Sequence, residues 1–262
     1  MNVIAHRGAR GLFPENTLFA FKECQTFPIS GIELDIVVSK DKQLIVSHEP
    51  WMNHLFCRTP EGHSITEMDQ KSHNLYHMTK DQIQQYDCGI TPNPRYPSQS
   101  TQKANKPSLL EVFELLSTVK PDFELLIELK SESALYGQFQ PELTDYAQLV
   151  VDFLESQKIN AQLLIQSFDP ALLNELYRLQ PSLRLGLLVE NSLSVIKNLS
   201  YLNFKPAYYN PYHQLVDQEI LYYLNSNSIK LIPWTVNDLP EAQRLADLGV
   251  SSIITDYPNL FV

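Results

Sequence analysis

The chain has 262 residues, a length that α/β barrels commonly reach as one domain, and we predict a single domain over residues 1–262. Its formal net charge of −10 makes nucleic acid and anionic membrane surfaces poor partners. No apolar run approaches the roughly 18 residues of a membrane span, so we expect no integral membrane association.

The first part of the chain predicts a strand at residues 3–6, a helix that begins at Thr17, and a β-hairpin. Two apolar runs at residues 32–36 and 44–48 are too close in sequence for a parallel crossover, which needs about a dozen residues. With a two-residue loop at residues 41–42, Asp35 lies opposite His48. One residue more in the loop would move His48 to a diagonal position.

Residues 49–107 are irregular, and we predict an insertion with a short helix at residues 80–86. Regular structure resumes with a helix at residues 108–116, which begins with the capping box of Ser108 and Glu111.

Strands and helices then alternate to the end of the chain. A strand is predicted at residue 127, and Asp169 is the predicted N-cap of the next helix. The later strands are predicted at residues 161–168, 183–189, 207–209, 230–236 and 252–255, and the helices at residues 170–177, 193–199, 217–224 and 239–248. With the strands near residues 3, 32 and 127 this makes eight β units, which indicates an α/β fold of the TIM (β/α)₈ barrel type.

The cysteines Cys24, Cys57 and Cys88 are widely spaced, a pattern that indicates neither a disulfide framework nor a zinc site. We therefore expect reduced thiols in a cytoplasmic protein. No leader precedes the first strand, which favours the same compartment; a periplasmic or secreted protein is the alternative if a signal peptide has been trimmed.

Charged and imidazole side chains stand in or at the end of several predicted strands. They are His6, Arg7, Glu33, Asp35, His48, Glu128 and Lys130. Ionised groups are costly to bury unless they are paired or bind a metal. The carboxylates of Glu33, Asp35 and Glu128 are the hard oxygen ligands that Mg²⁺ or Ca²⁺ takes. The alternative is an ion-pair network with Arg7 and Lys130.

The two histidines are candidates for acid/base catalysis, because an imidazole exchanges a proton near neutral pH. Arg7 and Lys130 suit a phosphate group. Glu15 is positioned to orient Arg7 or the substrate, or only to cap a helix, and Trp234 either lines a leaving-group pocket or belongs to the core.

The order and spacing of short motifs carry a family resemblance. The motifs are His6-Arg7-Gly8, Pro14-Glu15-Asn16-Thr17, Glu33-x-Asp35, His48, Glu128-x-Lys130, Trp234-Thr235-Val236-Asn237 and Thr255-Asp256. Together they resemble the glycerophosphodiester phosphodiesterase family over nearly the whole chain. One departure is Glu49, where the family usually has Asp.

The resemblance implies a metal-dependent hydrolase with one divalent cation, Mg²⁺ or Ca²⁺, held by Glu33, Asp35 and Glu128. His6 and His48 would be catalytic, and Arg7, Lys130, Glu15 and Trp234 would contact a small glycerophosphodiester such as glycerophosphocholine or glycerophosphoethanolamine. The insertion at residues 49–107 would cover the barrel mouth and select the leaving group.

The family mechanism implied is attack by a glycerol hydroxyl on phosphorus, followed by opening of the cyclic phosphate by water. Two other readings stay open. A lysophospholipase D-like or phospholipase C-like enzyme would need an apolar surface, which Trp51, Met52, Leu55 and Phe56 could supply. A barrel that only binds its ligand is the third.

Overall fold

The computed structural model describes residues 1–261 and shows alternating β-strands and α-helices along most of the chain. The strands are β1 (Asn2–His6), β2 (Gly31–Val38), β3 (Leu44–Val46), β4 (Glu124–Leu129), β5 (Gln162–Ser167), β6 (Leu185–Val189), β7 (Tyr208–Pro211), β8 (Lys230–Leu231) and β9 (Ser252–Thr255). The helices are α1 (Leu18–Glu23), α2 (Lys80–Ile83), α3 (Leu109–Leu115), α4 (Leu143–Ser156), α5 (Pro170–Leu179), α6 (Val195–Leu199), α7 (Gln218–Ser226) and α8 (Leu239–Asp247).

Eight of the strands are parallel and form a nearly closed TIM barrel, as predicted. Their order is β8-β7-β6-β5-β4-β2-β1-β9, and β3 pairs antiparallel to β2. Beyond β8, the Ile254 amide donates to the Pro233 carbonyl at 3.0 Å and the Val236 amide donates to the Ile254 carbonyl at 2.9 Å. These two hydrogen bonds join the ends of the sheet. The regular pairing of β8 stops short of the predicted residue 236, because Pro233 has no amide hydrogen to donate to a ladder.

Buried apolar side chains fill the barrel and the space between its strands and helices. One cluster takes a residue from each of several strands, as expected for side chains that point into a barrel, and consists of Ile4, Leu126, Leu164, Tyr208, Ile232 and Ile254. A larger cluster lies between the strands and the helices. Among residues 1–261, no helix has the length and apolar character needed to cross a membrane.

The helices begin largely at the caps that the sequence predicts. Ser108 and Glu111 form the capping box of α3, and the Asp169 side chain accepts a hydrogen bond from the Ala171 amide at the start of α5. The longest helix, α4, was not predicted. Its first residue follows Glu142, whose side chain makes no capping hydrogen bond, so no start signal marks it.

The register of the hairpin differs by one residue from the prediction. The pairs are Ile36 with Val46, Val37 with Ile45 and Val38 with Leu44, which leaves a loop of three residues at 40–42. Lys42 adopts φ +59°, the left-handed conformation that commonly ends such a loop. The Ser47 amide therefore donates to the Asp35 carbonyl at 3.0 Å, and His48 lies just beyond the strand.

The segment between β3 and α3 has a small apolar cluster of its own. Met52, Phe56, Leu75 and Ile83 are buried together in it, and the short helix α2 ends at Ile83 rather than at residue 86. Cys57 and Cys88 form a disulfide in this cluster, so the prediction of reduced thiols is wrong for these two residues. Their separation of 31 residues gave no sequence signal, since the pairing depends on how the segment folds. Cys24 is a free, buried thiol.

Candidate active site

The register of the parallel strands brings four of the predicted site residues together. His6 is paired with Glu33 between β1 and β2, and Asp35 is paired with Glu128 between β2 and β4. Side chains alternate along a strand, so Glu33 and Asp35 point to the same side of β2. The carboxyl ends of the strands thus gather these groups at one mouth of the barrel, where the active sites of TIM barrels lie.

The three carboxylates form a buried cluster in which one oxygen of each lies within 4.8 Å of the others. Burial raises the pKa of Glu33 well above its usual range, and the charges of Asp35 and Glu128 add to this effect. Burial also raises the pKa of Glu128, against the opposing effect of Lys130. Burial would raise the pKa of Asp35 as well, but Arg7 and Lys130 hold it well below its usual range.

Two cationic side chains neutralise part of this charge. Arg7 Nε lies 2.9 Å from Asp35 Oδ2, and Lys130 Nζ lies 3.3 Å from Asp35 Oδ1 and also donates to Glu128. Glu15 accepts a hydrogen bond from the Arg7 guanidinium at 2.9 Å. Arg7 borders a cavity at this mouth of the barrel and Glu15 does not, so Glu15 lies behind Arg7. Of the roles predicted from the sequence, this position fits the one in which Glu15 orients Arg7.

Asn16, which the sequence does not predict as a site residue, holds the Asp35 carboxylate. Its amide donates to Asp35 Oδ2 at 2.8 Å, and its side-chain oxygen accepts from the Asp35 backbone amide. Asn16 has φ +58°, a left-handed conformation that asparagine tolerates better than most residues. The side chain fixes the orientation of the central carboxylate.

His6 is held by the carboxylate of Asp256, which belongs to the Thr255-Asp256 motif but was not predicted as a site residue. Asp256, directly after β9, accepts a hydrogen bond from His6 Nδ1 at 2.6 Å and another from Arg10 Nε at 2.8 Å. Burial and Arg10 lower the pKa of His6 to about 3, although Asp256 opposes the shift. Since Nδ1 keeps its proton and donates it in the hydrogen bond to Asp256, Nε2 is the nitrogen that can exchange a proton with a substrate.

His48 has the same arrangement with a different partner. Its Nδ1 lies 3.0 Å from Glu49 Oε1, so the residue that departs from the family pattern supplies the carboxylate. Burial opposes ionisation of Glu49, but the hydrogen bond and charge of His48 hold its pKa well below the usual range. Lys106, which is buried and was not predicted, donates to Ser47 Oγ at 2.8 Å and anchors this turn.

Two adjoining cavities open at the site. The inner cavity, of about 160 Å³, is lined by both histidines, Arg7, Glu33, Glu128 and Lys130, and also by Arg10, Gln166, Phe168, Leu188, Glu190, Trp234, Thr235 and Ile254. Trp234 donates from Nε1 to the Asn210 carbonyl at 2.9 Å, and its ring belongs to the cavity wall. The predicted residues other than Asp35 and Glu15 therefore border one space.

The carboxylate cluster fits a hard divalent cation. Asp35 Oδ1 is buried and accepts no hydrogen bond from residues 1–261, although Lys130 Nζ is close to it. Three carboxylates face two cationic side chains, which leaves an excess of negative charge when all are ionised. Oxygen donors from three carboxylates are the set that Mg²⁺ or Ca²⁺ prefers.

The fold and the site together define a class, namely TIM-barrel enzymes that act on an anionic substrate at the carboxyl ends of their strands. The particular family follows from comparison with known proteins. The model of the glycerophosphoryl diester phosphodiesterase family matches residues 6–260, and the chain belongs to this family. It is a phosphodiesterase, as its sequence motifs predict.

Similar proteins match over nearly the full chain. A glycerophosphodiester phosphodiesterase from Caldanaerobacter subterraneus subsp. tengcongensis is 29% identical over 99% of this chain and 96% of its own length. A solved structure from Silicibacter pomeroyi with the same family assignment is 27% identical, with a TM-score of 0.88 over 99% of this chain and 91% of that one. A phosphodiesterase from Oleispira antarctica, in complex with its product sn-glycerol-3-phosphate, shares the fold at 23% identity, with a TM-score of 0.77 over 98% of this chain and 94% of that one.

Proposed function

We propose that this enzyme hydrolyses small glycerophosphodiesters to sn-glycerol 3-phosphate and an alcohol, with one divalent cation at Glu33, Asp35 and Glu128. His6 and His48 are the acid/base pair. The observation that carries the proposal is the inner cavity, in which both imidazoles, two metal-ligand candidates and three cationic side chains border one space of about 160 Å³. The same fold in the Oleispira phosphodiesterase binds sn-glycerol-3-phosphate, which supports this product.

The side chains divide the work of binding between them. Arg7 and Lys130 face the phosphate with positive charge. A divalent cation held by Glu33, Asp35 and Glu128 would supply further positive charge near the phosphoryl oxygens, where negative charge develops. Asn16 and Glu15 keep Asp35 and Arg7 in place. Positive charge is thereby concentrated at the phosphate position in a chain whose net charge is −10.

The positions of the two cavities support a different role for each histidine. The outer cavity adjoins the inner one and is lined by Glu49, Trp51 and Glu132, among others. His48 borders both cavities, whereas His6 borders only the inner one. We place the glycerol phosphate in the inner cavity and the alcohol in the outer one. Neutral His6 then takes the proton of the glycerol hydroxyl next to the diester as this oxygen attacks phosphorus, and protonated His48 gives its proton to the departing alcohol oxygen. In the second step His48 takes a proton from water, which opens the cyclic phosphate, and His6 returns its proton to the glycerol oxygen.

The reading as a lysolipid enzyme has less support. Of the apolar residues expected to form an acceptor surface, Met52 is fully buried and Phe56 is 6% exposed. Both belong to the core of the insertion, and only Trp51 of the four lines a cavity at the site. The predicted apolar surface is therefore wrong for Met52 and Phe56.

Product analysis tests the proposed bond cleavage. Purified protein is incubated with glycerophosphocholine and Mg²⁺ or Ca²⁺, and the phosphorus NMR spectrum is followed over time. We expect the signal of the diester to be replaced by that of glycerol 3-phosphate, while free choline is measured separately in the proton spectrum. Phosphocholine and glycerol would show that the other ester bond is broken, and an unchanged substrate with either metal would contradict the proposal.

A further inference from the structure

The outer cavity, of about 440 Å³, is built for the part of the substrate that leaves. It shares five lining residues with the inner cavity: His48, Glu128, Lys130, Phe168 and Glu190. Most of the rest of its wall comes from the segment after His48 and from the loop after β4, and Val37 of β2 and Leu129 of β4 complete it. A group bonded to a phosphate in the inner cavity would extend across His48 into this space.

The free charge of the outer cavity is negative. Glu132 and Glu190 line it, and within residues 1–261 neither carboxylate has an ion-pair partner. The two other glutamates of the wall are engaged, Glu49 with His48 and Glu128 with Lys130. The cationic side chain of the wall, Lys130, is held by Glu128 and Asp35. A ligand in the cavity therefore meets two uncompensated carboxylates.

Aromatic rings form much of the remaining wall. Trp51, Phe139 and Phe168 line the cavity, and the rings of Trp51 and Phe139 meet edge to face at 5.5 Å. Lys71 Nζ, which is outside the cavity wall, lies 5.1 Å from the centre of the Trp51 ring. The tryptophan ring thus already attracts one ammonium group, as expected from its quadrupole.

Resting on the proposed function, we propose that the outer cavity selects an alcohol with a fixed positive charge, and a trimethylammonium group above a primary ammonium. Glu132 and Glu190 supply the opposite charge, while the aromatic rings attract a quaternary ammonium without any need for hydrogen bonds. Leu135 and Val37 add apolar wall that suits methyl groups. A neutral polyol gains from neither feature, and an anionic group is repelled.

Three diesters that share glycerol 3-phosphate and differ only in the alcohol provide the test. They are glycerophosphocholine, glycerophosphoethanolamine and glycerophosphoglycerol, and release of the common product is measured for each. We expect kcat/KM to fall in that order, with a difference of about tenfold or more between the first and the last, since a desolvated cation–π contact contributes about that factor. Equal values would overturn the inference and leave the proposed function intact, whereas no hydrolysis of any diester would overturn the function itself.

Substitutions in the wall of the outer cavity test which residues are responsible for the selectivity. Glu190→Gln and Glu132→Gln each remove one charge from the wall, and Trp51→Leu removes a ring. Each variant should reduce the ratio of kcat/KM for glycerophosphocholine to that for glycerophosphoglycerol by about threefold to tenfold. Glu67→Gln removes the same charge from an exposed position away from the cavities and should keep the wild-type ratio. A ratio unchanged in all three wall variants would overturn the inference.

A binding measurement separates charge from shape without any substitution. Choline and its uncharged carbon isostere are compared as inhibitors of glycerophosphoglycerol hydrolysis. Choline should inhibit at a concentration about tenfold lower, because the two molecules differ only in charge. Equal inhibition would contradict the proposed recognition.

Discussion

Each imidazole of the site is held at Nδ1 by a carboxylate, His6 by Asp256 and His48 by Glu49. Such a partner fixes the ring and directs Nε2 to the substrate, which is the orienting arrangement known from other acid/base sites. The two partners come from distant parts of the sequence, since Asp256 follows the last strand and Glu49 is adjacent to His48. The barrel is what brings them to one mouth.

Replacing His6 or His48 by Ala should lower kcat by roughly 10² to 10⁴, the usual contribution of positioned proton transfer. Metal affinity should change little, because neither residue is among the three carboxylates of the cluster. The double variant should lose little more than the worse single variant, since the two residues act as a unit. Steady-state kinetics and metal titration by calorimetry check both statements. Near-full activity of His48→Ala on glycerophosphocholine would rule out the pair.

Asp256→Asn should reduce kcat strongly, by roughly 10² or more, while KM stays within a few-fold of the wild type. The asparagine keeps the shape but loses the charge that orients and stabilises the His6 ring as it gains a proton. Asp217→Asn is the matched control, because Asp217 caps α7 away from both cavities and an asparagine can still accept from the Ile220 amide. If KM and kcat change together, or if only the melting temperature changes, Asp256 is merely structural.

Site residues can be predicted from the sequence where they lie in or at the end of a predicted strand. His6, Glu33 and Glu128 each lie within or at the end of an apolar run. Their meeting at one mouth of the barrel follows from the parallel arrangement of the strands. Lys106 and Asn16 gave no comparable signal, because the first lies in irregular chain and the second precedes a helix, where a capping role is the simpler expectation. Their contacts exist only in the folded chain.

At the level of elements, a single residue in the hairpin loop decides where His48 lies. The sequence predicts the hairpin, since the connection is too short for a crossover, but it does not distinguish a loop of two residues from one of three. The observed loop places Ser47 rather than His48 opposite Asp35. The helix α4 was missed for a related reason: its apolar periodicity is regular, but it begins without a capping signal.

The disulfide of the insertion should stabilise this segment measurably. Closing a loop between residues 31 apart contributes about 3 to 4 kcal/mol in the chain-entropy view. The double variant Cys57→Ser with Cys88→Ser should therefore unfold at a lower urea concentration. Reductant should lower the midpoint of the wild type to nearly that of the variant and leave the variant unchanged. Titration of three free thiols in unreduced, unfolded protein would contradict the disulfide.

The stability that the contact between the loop after β7 and helix α8 contributes to the fold should depend on pH. Hydrogen bonds from Arg244 and His213 outweigh burial and lower the pKa of Glu241 from 4.5 to about 2. A lowered pKa stabilises the folded state above about pH 4.5, and this stabilisation disappears as the pH falls toward 2. Glu241→Gln should thus cost about 1 kcal/mol or less near neutral pH, because solvent screens the pair.

Urea unfolding at several pH values measures this difference. The gap between wild type and Glu241→Gln should narrow as the pH decreases below the ordinary carboxyl range. A gap that stays constant to the lowest pH at which the wild type is folded would show that the charge of Glu241 is not the source. The neighbouring Glu219→Gln on α7 serves as a control for loss of one surface charge.

For the whole molecule, the sequence predicts the barrel well because the count of β units is a property of the entire chain and tolerates errors at single boundaries. The closure of the sheet at residues 232–236 was harder to predict from the sequence, because Pro233 interrupts the regular hydrogen-bond ladder there. Assignment of the cellular compartment also depended on an incorrect expectation. Once Cys57 and Cys88 are paired, the thiols no longer argue for the cytoplasm, and the localisation stays a prediction.

We expect hydrolysis of a glycerophosphodiester to require a divalent cation at Glu33, Asp35 and Glu128. The most direct measurement is the rate of glycerol 3-phosphate release from glycerophosphocholine after exhaustive chelation and dialysis, with residual metal determined by elemental analysis. We predict that the rate falls to background and recovers when Mg²⁺ or Ca²⁺ is added, but not in Glu128→Gln at the same metal concentration. Full activity of protein shown to be free of metal would contradict the proposed metal requirement.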